Sequence, residues 1–173
     1  QSSRRFSSAL ACALQPTHRR ALLAQGTGTR QTAAMDRSDG DVYTHGHHET
    51  VLRSHRWRTA ENSAGYLLPH LAAGLDVLDV GCGPGTITID LARRIGEGNV
   101  IGIDRSEEVV AEARAAAAAV GVANVAFEVG DVYALGAPES FDVVHAHQVL
   151  QHLSDPVAAL REMRRVCRPG GVV

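Results

Sequence analysis

Three glycines at alternate positions follow a short apolar run in the middle of the sequence. The run covers residues 77–80, and the glycines are Gly81, Gly83 and Gly85 in the stretch VLDVGCGPGT. Glycine permits a tight turn and lets the backbone approach a ligand with no Cβ in the way. A plain strand-to-helix turn needs one or two glycines, so this spacing favours a turn that binds a ligand.

Acidic and histidine residues occur where other strands are predicted to end. Asp104 follows the run VIGI, Asp131 follows a third apolar run, and His145 and His147 lie at the end of a fourth. Carboxylates accept hydrogen bonds from hydroxyl and amino groups, and histidine exchanges a proton near neutral pH. Because His145 and His147 are two positions apart, we expect them to share one face of a strand.

Strand and helix patterns alternate from residue 77 onward, and this alternation places the polar residues at strand ends. Strands are predicted over residues 77–80, 100–104, 125–129 and 141–146, with a fifth beginning at Gly170. Helices are predicted over residues 86–95, 107–120 and 156–167. Ser106 and Asp155 can cap the second and third helices, and Pro169-Gly170 is predicted to end the third.

This alternation indicates an α/β fold with a parallel, Rossmann-like sheet whose crossover helices cover both faces. We predict the strand order 3-2-1-4-5, with the glycine turn at the switch point between strands one and four. Ligands of such sheets bind at the carboxyl ends of the strands, where the polar residues above are predicted to lie.

The first 72 residues do not follow the alternating pattern. Residues 1–35 contain five Arg and no acid and are rich in Ser, Ala and Thr, a composition typical of a transit peptide or of a disordered extension. Residues 36–48 are polar, and a helix is predicted over about 49–72, which Gly65 and Pro69 weaken or split. We therefore expect three segments, 1–35, 36–72 and 73–173, and expect residues 1–34 to be disordered and dispensable.

Composition excludes several classes of protein. The 17 basic residues are all Arg, the formal net charge is −2, and no polybasic tract suits nucleic acid. No apolar run approaches the roughly 20 residues that cross a bilayer. Cys12, Cys82 and Cys167 are odd in number and far apart, which argues for a reducing compartment and against a disulfide framework or a metal site. We expect an intracellular protein, in the cytoplasm or, given the Arg-rich start, the mitochondrial matrix.

The spacing Asp-x-Gly-x-Gly-x-Gly over residues 79–85 resembles motif I of the class I S-adenosylmethionine-dependent methyltransferases. A dinucleotide fingerprint, G-x-G-x-x-G, would require glycine where Thr86 stands. The resemblance continues in order along the chain through Asp104, the GDV of residues 130–132, FDVVHAHQVLQHL of 141–153 and LREMRRVCRPGG of 160–171. The sequence is most similar to the small-molecule group that includes the quinone-biosynthesis C-methyltransferases.

The resemblance implies S-adenosylmethionine as the cofactor and assigns roles to individual residues. Asp79 would lie near the methionine ammonium, Asp104 would accept hydrogen bonds from the ribose hydroxyls, and Asp131 would accept one from the adenine amino group. The cofactor-binding residues it implies are Asp79, Gly81, Cys82, Gly83, Gly85, Asp104, Arg105, Asp131, Val132, Ala146 and His147.

Candidate residues for the acceptor side have simpler alternatives. His147 is a candidate general base or acceptor contact, or else a partly exposed histidine bonded to backbone. Tyr43 and His47 could belong to an N-terminal lid or to an ordinary loop. Arg58, with Arg53 and Arg56, could hold an acidic substrate or simply form a solvated helix face.

The implied function is methyl transfer to a small-molecule acceptor. The alternatives are a catalytically silent cofactor-binding module and a nicotinamide-dependent oxidoreductase, which Thr86 and Asp131 disfavour. No Asn/Asp-Pro-Pro-aromatic run follows strand four, which disfavours amino groups of nucleic-acid bases as targets.

The family's sheet has seven strands, whereas this sequence reaches only the fifth, so we expect a truncated sheet without the terminal hairpin and marginal stability. The oligomeric state stays open.

Overall fold

The computed structural model describes residues 57–173. Within this part, five parallel strands form one sheet in the order β3-β2-β1-β4-β5. The strands are β1 (Asp76–Val80), β2 (Asn99–Asp104), β3 (Val125–Val129), β4 (Phe141–Ala146) and β5 (Cys167–Val172). The α/β class and the strand order predicted from the sequence are confirmed.

The helices of the described part lie between these strands and before β1. They are α1 (Ala60–Ser63), α2 (Thr86–Ile95), α3 (Glu107–Val120) and α4 (Pro156–Val166), with 3₁₀ turns at Leu68–His70 and Leu150–His152. Ser106 caps α3 by accepting from the Val109 amide, and Asp155 caps α4 by accepting from the Ala158 amide. Within residues 57–173, no helix combines the length and the apolar character needed to cross a bilayer.

The helix predicted over 49–72 is wrong in its described portion, which holds only α1 and one 3₁₀ turn. Thr59 and Asn62 form a capping box that starts α1, and the chain leaves helical geometry at Ala64, directly before Gly65. Pro69 then favours a short turn, because proline lacks the amide hydrogen that a continuing helix would use. Residues 49–56 lie outside the described part.

The end of the last helix also differs from the prediction. α4 ends at Val166 and β5 begins at Cys167, so Pro169 and Gly170 lie within an edge strand instead of ending the helix. Proline is tolerated on an edge strand because one side of that strand makes no ladder hydrogen bonds. Arg168, expected near the helix end, instead bridges Asp76 at 3.0 Å and Asp142 at 2.6 Å across the starts of β1 and β4.

Alternate residues of β1 pack into different cores on the two faces of the sheet. Leu78 and Val80 join a cluster that includes Met163 and Val166 of α4. Val77 joins a cluster on the other face that includes residues of α1 and α2, among them Leu91. A strand covered by helices on both faces explains the continuous apolar run that precedes the glycine turn.

We predict that Leu91→Ala lowers the free energy of unfolding by about 2–5 kcal/mol, because it leaves a cavity in the α2 core. Leu91 is 0% exposed, whereas Leu160 on α4 is 41% exposed. The matched variant Leu160→Ala should therefore change the free energy of unfolding by only about 0.5 kcal/mol. Urea titration of both variants measures the difference, and equal losses would contradict this description of the core.

Candidate functional site

A cavity of about 530 Å³ opens at the carboxyl ends of the central strands. Its walls come from the glycine turn after β1, the end of β2, the segment after β3, the segment after β4, and Arg58. Its position between β1 and β4 is the switch point of the sheet, where ligands of open parallel sheets bind. The volume lies within the range of sites for cofactors and small molecules.

Backbone hydrogen bonds hold the glycine turn against β2. The amides of Gly81 and Cys82 both donate to the carbonyl of Ile103, at 2.8 and 2.9 Å. The amide of Gly83 donates to Asp104 Oδ2 at 3.1 Å. The turn is therefore fixed before any ligand binds, and its geometry depends on the end of β2.

The three glycines have positive φ angles, and two of them also accommodate neighbouring side chains. A Cβ on Gly81 would collide with a methyl group of Val149, which follows β4. A Cβ on Gly85 would lie 2.7 Å from the Phe127 ring of β3. Gly85 is the N-cap of α2 and does not line the cavity, so its described contacts concern packing.

Asp104 lines the cavity with acceptor positions to spare. Its Oδ2 accepts from the Gly83 amide and its Oδ1 accepts from the Ser106 amide at 3.0 Å. Because an ionised carboxylate has about four acceptor positions, each oxygen can accept one further hydrogen bond. The side chain is thus oriented by the protein and still able to bind paired hydroxyl groups of a ligand.

A buried chain of hydrogen bonds surrounds Asp79, whose carboxylate is 3% exposed and borders the cavity. Thr88 Oγ1 donates to Oδ2 at 2.6 Å, and His145 Nδ1 lies 2.8 Å from Oδ1. His145 Nε2 lies 3.0 Å from the hydroxyl of Tyr66. Since a carboxylate only accepts, His145 carries a proton on Nδ1, and its Nε2 shares a second hydrogen bond with the Tyr66 hydroxyl.

Tyr66 joins this chain through its hydroxyl, although the residue as a whole is 62% exposed. Burial of the hydroxyl raises the pKa of Tyr66, and the negative charge of Asp79 raises it further. The hydroxyl therefore stays protonated at neutral pH. Sequence reasoning missed Thr88 and Tyr66, because their contacts depend on tertiary packing.

His147 lines the cavity directly after β4, which ends at Ala146, so it does not share the strand with His145, although their rings lie side by side. The two rings are nearly parallel, with centroids 6.5 Å apart. Burial lowers the pKa of His147, electrostatic interactions with Arg58 and His145 lower it further, and Asp79 opposes the shift. At neutral pH the imidazole is therefore mostly uncharged and able to accept a proton.

Gln148, which sequence reasoning did not single out, holds Arg58 at the cavity wall. Its Oε1 accepts from Arg58 Nη2 at 2.7 Å. Gln148 has a φ of 54°, in the left-handed region that costs a non-glycine residue about 1–3 kcal/mol. Such strain persists where surrounding structure over-determines it and is concentrated at functional sites.

The structure places most of the predicted cofactor residues on the cavity wall, but not all. Those that line it are Asp79, Gly81, Cys82, Gly83, Asp104, Arg105, Val132 and His147. Gly85, Asp131 and Ala146 are not among the lining residues. Asp131 instead accepts from the amide of Tyr133 at 2.9 Å, so its carboxylate closes a local turn.

The remaining candidates are a nucleophilic cysteine, a metal site and an N-terminal lid. Burial raises the pKa of the Cys82 thiol strongly, and Asp79 and Asp104 raise it further, so the thiol stays protonated and is no nucleophile. In residues 57–173, no group of three or more His, Cys, Asp or Glu side chains could hold a metal ion. Tyr43 and His47, the predicted lid residues, lie outside the described part.

Comparison with known proteins decides the family. The model of the methyltransferase domain family matches residues 71–173. The chain belongs to this family. An uncharacterized methyltransferase of Schizosaccharomyces pombe is 41% identical over 143 residues, which cover 79% of this chain and 51% of the relative. A ubiquinone biosynthesis O-methyltransferase of Neisseria meningitidis is 40% identical over 102 residues, 58% of this chain and 42% of the relative.

Solved structures agree with the match to the methyltransferase domain. A crystal structure of a SAM-dependent methyltransferase from Aquifex aeolicus superposes with a TM-score of 0.55 and 28% sequence identity. The superposition covers 70% of this chain and 58% of that one. The chain spans about half the length of the curated relatives it matches.

S-adenosylmethionine is the cofactor of this methyltransferase domain, and the cavity fits it. Asp104 has an open acceptor position on each oxygen for paired hydroxyls, such as those of a ribose. Asp79 borders the cavity as a carboxylate with acceptor positions beyond its two bonds, which suits an ammonium group. The apolar wall beside them includes Val132 and Ile103, which suit the face of an adenine ring.

We predict that Asp104→Ala weakens S-adenosylmethionine binding about tenfold to a few hundredfold. Hydrogen bonds to a charged acceptor contribute about 1.5–3 kcal/mol each, and water compensates for part of their loss. Isothermal titration calorimetry measures the dissociation constant. Glu97→Ala, which removes an exposed acid outside the cavity wall, is the matched control. Unchanged affinity in Asp104→Ala, with the fold intact, would refute the role.

We also predict that His145→Ala destabilises the methyltransferase domain by about 1–3 kcal/mol, because it leaves the buried Asp79 carboxylate without one of its donors. Tyr66→Phe removes only the partly exposed end of the same chain and should cost less. Thermal and urea unfolding of both variants measure the two effects. Equal losses of stability in the two variants, or no loss in His145→Ala, would show that this chain of hydrogen bonds does not stabilise the site.

Proposed function

We propose that the protein transfers the methyl group of S-adenosylmethionine to a small-molecule acceptor. The observation that carries this proposal is the proximity of two different groups in one cavity. Asp104, oriented by backbone amides, supports cofactor binding, and His147, with its lowered pKa, supports proton removal from an acceptor. Both line the same space of about 530 Å³.

The protein's own part in this reaction is to bind, to orient and to accept a proton. When bound, S-adenosylmethionine supplies a methyl group carried by a positively charged sulfur. The fixed glycine turn, Asp79 and Asp104 would hold the cofactor on one side of the cavity. His147 would accept the proton of an acceptor that has one to lose, and the apolar walls would exclude water.

A small metabolite is the acceptor that the features of the chain favour. The cavity volume suits a small ligand, and the absence of a polybasic tract in the sequence disfavours nucleic acid. The likeness to a ubiquinone biosynthesis O-methyltransferase supports the same class of acceptor. Cys82 and Cys167 are free and buried, which suits a reducing compartment such as the cytoplasm.

We predict that His147→Gln lowers the rate of methyl transfer by about 10²–10⁴-fold while S-adenosylmethionine binding stays intact, because it removes the proton acceptor. The assay incubates the protein with methyl-labelled S-adenosylmethionine and a metabolite extract, and mass spectrometry detects labelled products. His70→Gln, an exposed histidine outside the cavity wall, is the matched control.

The pH dependence of that rate gives an independent check. A base works above its pKa, and the pKa of His147 is lowered, so the rate should fall only as pH drops below the usual histidine range. Cofactor binding without any labelled product would indicate a silent binding module. A rate unaffected by His147→Gln would exclude His147 as the base.

A further inference from the structure

We propose that Arg58 selects acceptors that carry an anionic oxygen, either a carboxylate or the oxyanion that forms when a phenol or enol loses its proton. This inference rests on the proposed function and names the chemical class of its substrate. Arg58 lies just before α1 and lines the cavity. No residue of the glycine turn or of the strand ends supplies a comparable donor, apart from Arg105, which follows β2.

The position of the Arg58 guanidinium is set by a contact across the fold. Arg58 and Gln148 are 90 residues apart in sequence, and the Gln148 amide oxygen accepts from Nη2 at 2.7 Å. Gln148 adopts its left-handed conformation directly after His147, where β4 has ended. The strained residue thus anchors the guanidinium next to the predicted base.

Arg58 has most of its hydrogen-bonding capacity left. A guanidinium has five N–H donors, and the contact with Gln148 uses one. Among residues 57–173, no carboxylate forms an ion pair with Arg58, whereas Arg94 and Arg165 each pair with one and Arg168 pairs with two. A planar fork of free donors binds a carboxylate bidentately, and its permanent charge also attracts a phenolate.

The charges that border the cavity point to the same class of ligand. The positive charge of Arg58 reaches His147, where it lowers the pKa of the imidazole. Asp79 and Asp104 already accept from neighbouring groups of the protein, and the proposed function assigns their remaining acceptor positions to the cofactor. The cofactor is itself a cation at its sulfur, so a negatively charged acceptor balances two positive charges that share one cavity.

The test uses the full chain saturated with S-adenosylhomocysteine and two pairs of probes. Benzoate is compared with benzamide, and 4-nitrophenolate with 4-nitroanisole, so each pair differs mainly in charge. Calorimetry measures binding to the parent chain, to Arg58→Gln and to the control Arg161→Gln. Arg161 is an exposed arginine of α4 outside the cavity wall.

The parent chain should bind at least one anionic probe about tenfold to a hundredfold more tightly than its neutral partner, since hydrogen bonds to a charged group are the strong ones. Arg58→Gln should abolish that preference and Arg161→Gln should keep it. A preference for benzoate indicates a carboxylate, and one for 4-nitrophenolate indicates an ionised hydroxyl.

Two failures are distinguishable in this experiment. If S-adenosylhomocysteine does not bind, the proposed function fails. If it binds but the two members of each probe pair bind equally, or not at all, the inference about Arg58 is overturned. A preference that survives Arg58→Gln overturns it as well, because another cation would then select the anion. Arg58→Lys, which keeps the charge without the fork, should retain only part of the preference.

Discussion

The buried carboxylate of Asp79 constrains much of the surrounding structure. Removing an ionised group from water is costly unless hydrogen bonds compensate it, and here the compensation comes from two separate elements. Thr88 reaches Asp79 from α2, and His145 reaches it from β4. The carboxylate therefore connects the helix after the glycine turn to the neighbouring strand, and the cavity lies where these elements meet.

The same arrangement separates two tasks between a histidine in β4 and one just after it. His145 points into the buried chain of hydrogen bonds and is committed to Asp79 and Tyr66. His147, two residues later, borders the cavity with its pKa lowered. One histidine thus holds a carboxylate in place while the other is available for a ligand.

Much of the fold could be predicted because its elements have strong local signals. The bounds of α2, α3, β3 and β4 agree with those expected from apolar periodicity and capping residues. The errors fall where tertiary contacts override local preference. Arg168 is drawn into β5 by Asp76 and Asp142, although its sequence context resembles a helix end.

The position of the cavity could be predicted from the sequence, but the contacts between its side chains could not. Asp79 and His145 are neighbours only because β1 and β4 pair in one particular register, and that register is not written in either strand alone. Arg58 and Gln148 meet across 90 residues, and no local pattern relates them. The resemblance predicts Gly85 as a cofactor contact, whereas the ring of Phe127 occupies the space beside it.

The contact between Gly81 and Val149 has a consequence for how such a domain can diversify. Gly81 belongs to the glycine turn, Val149 belongs to the segment after β4, both line the cavity, and no Cβ on Gly81 fits between them. A larger side chain at position 149 would press on the turn, so a change made to suit a new acceptor there would also disturb the cofactor. Evolution of acceptor preference is therefore freer at positions that do not touch the turn.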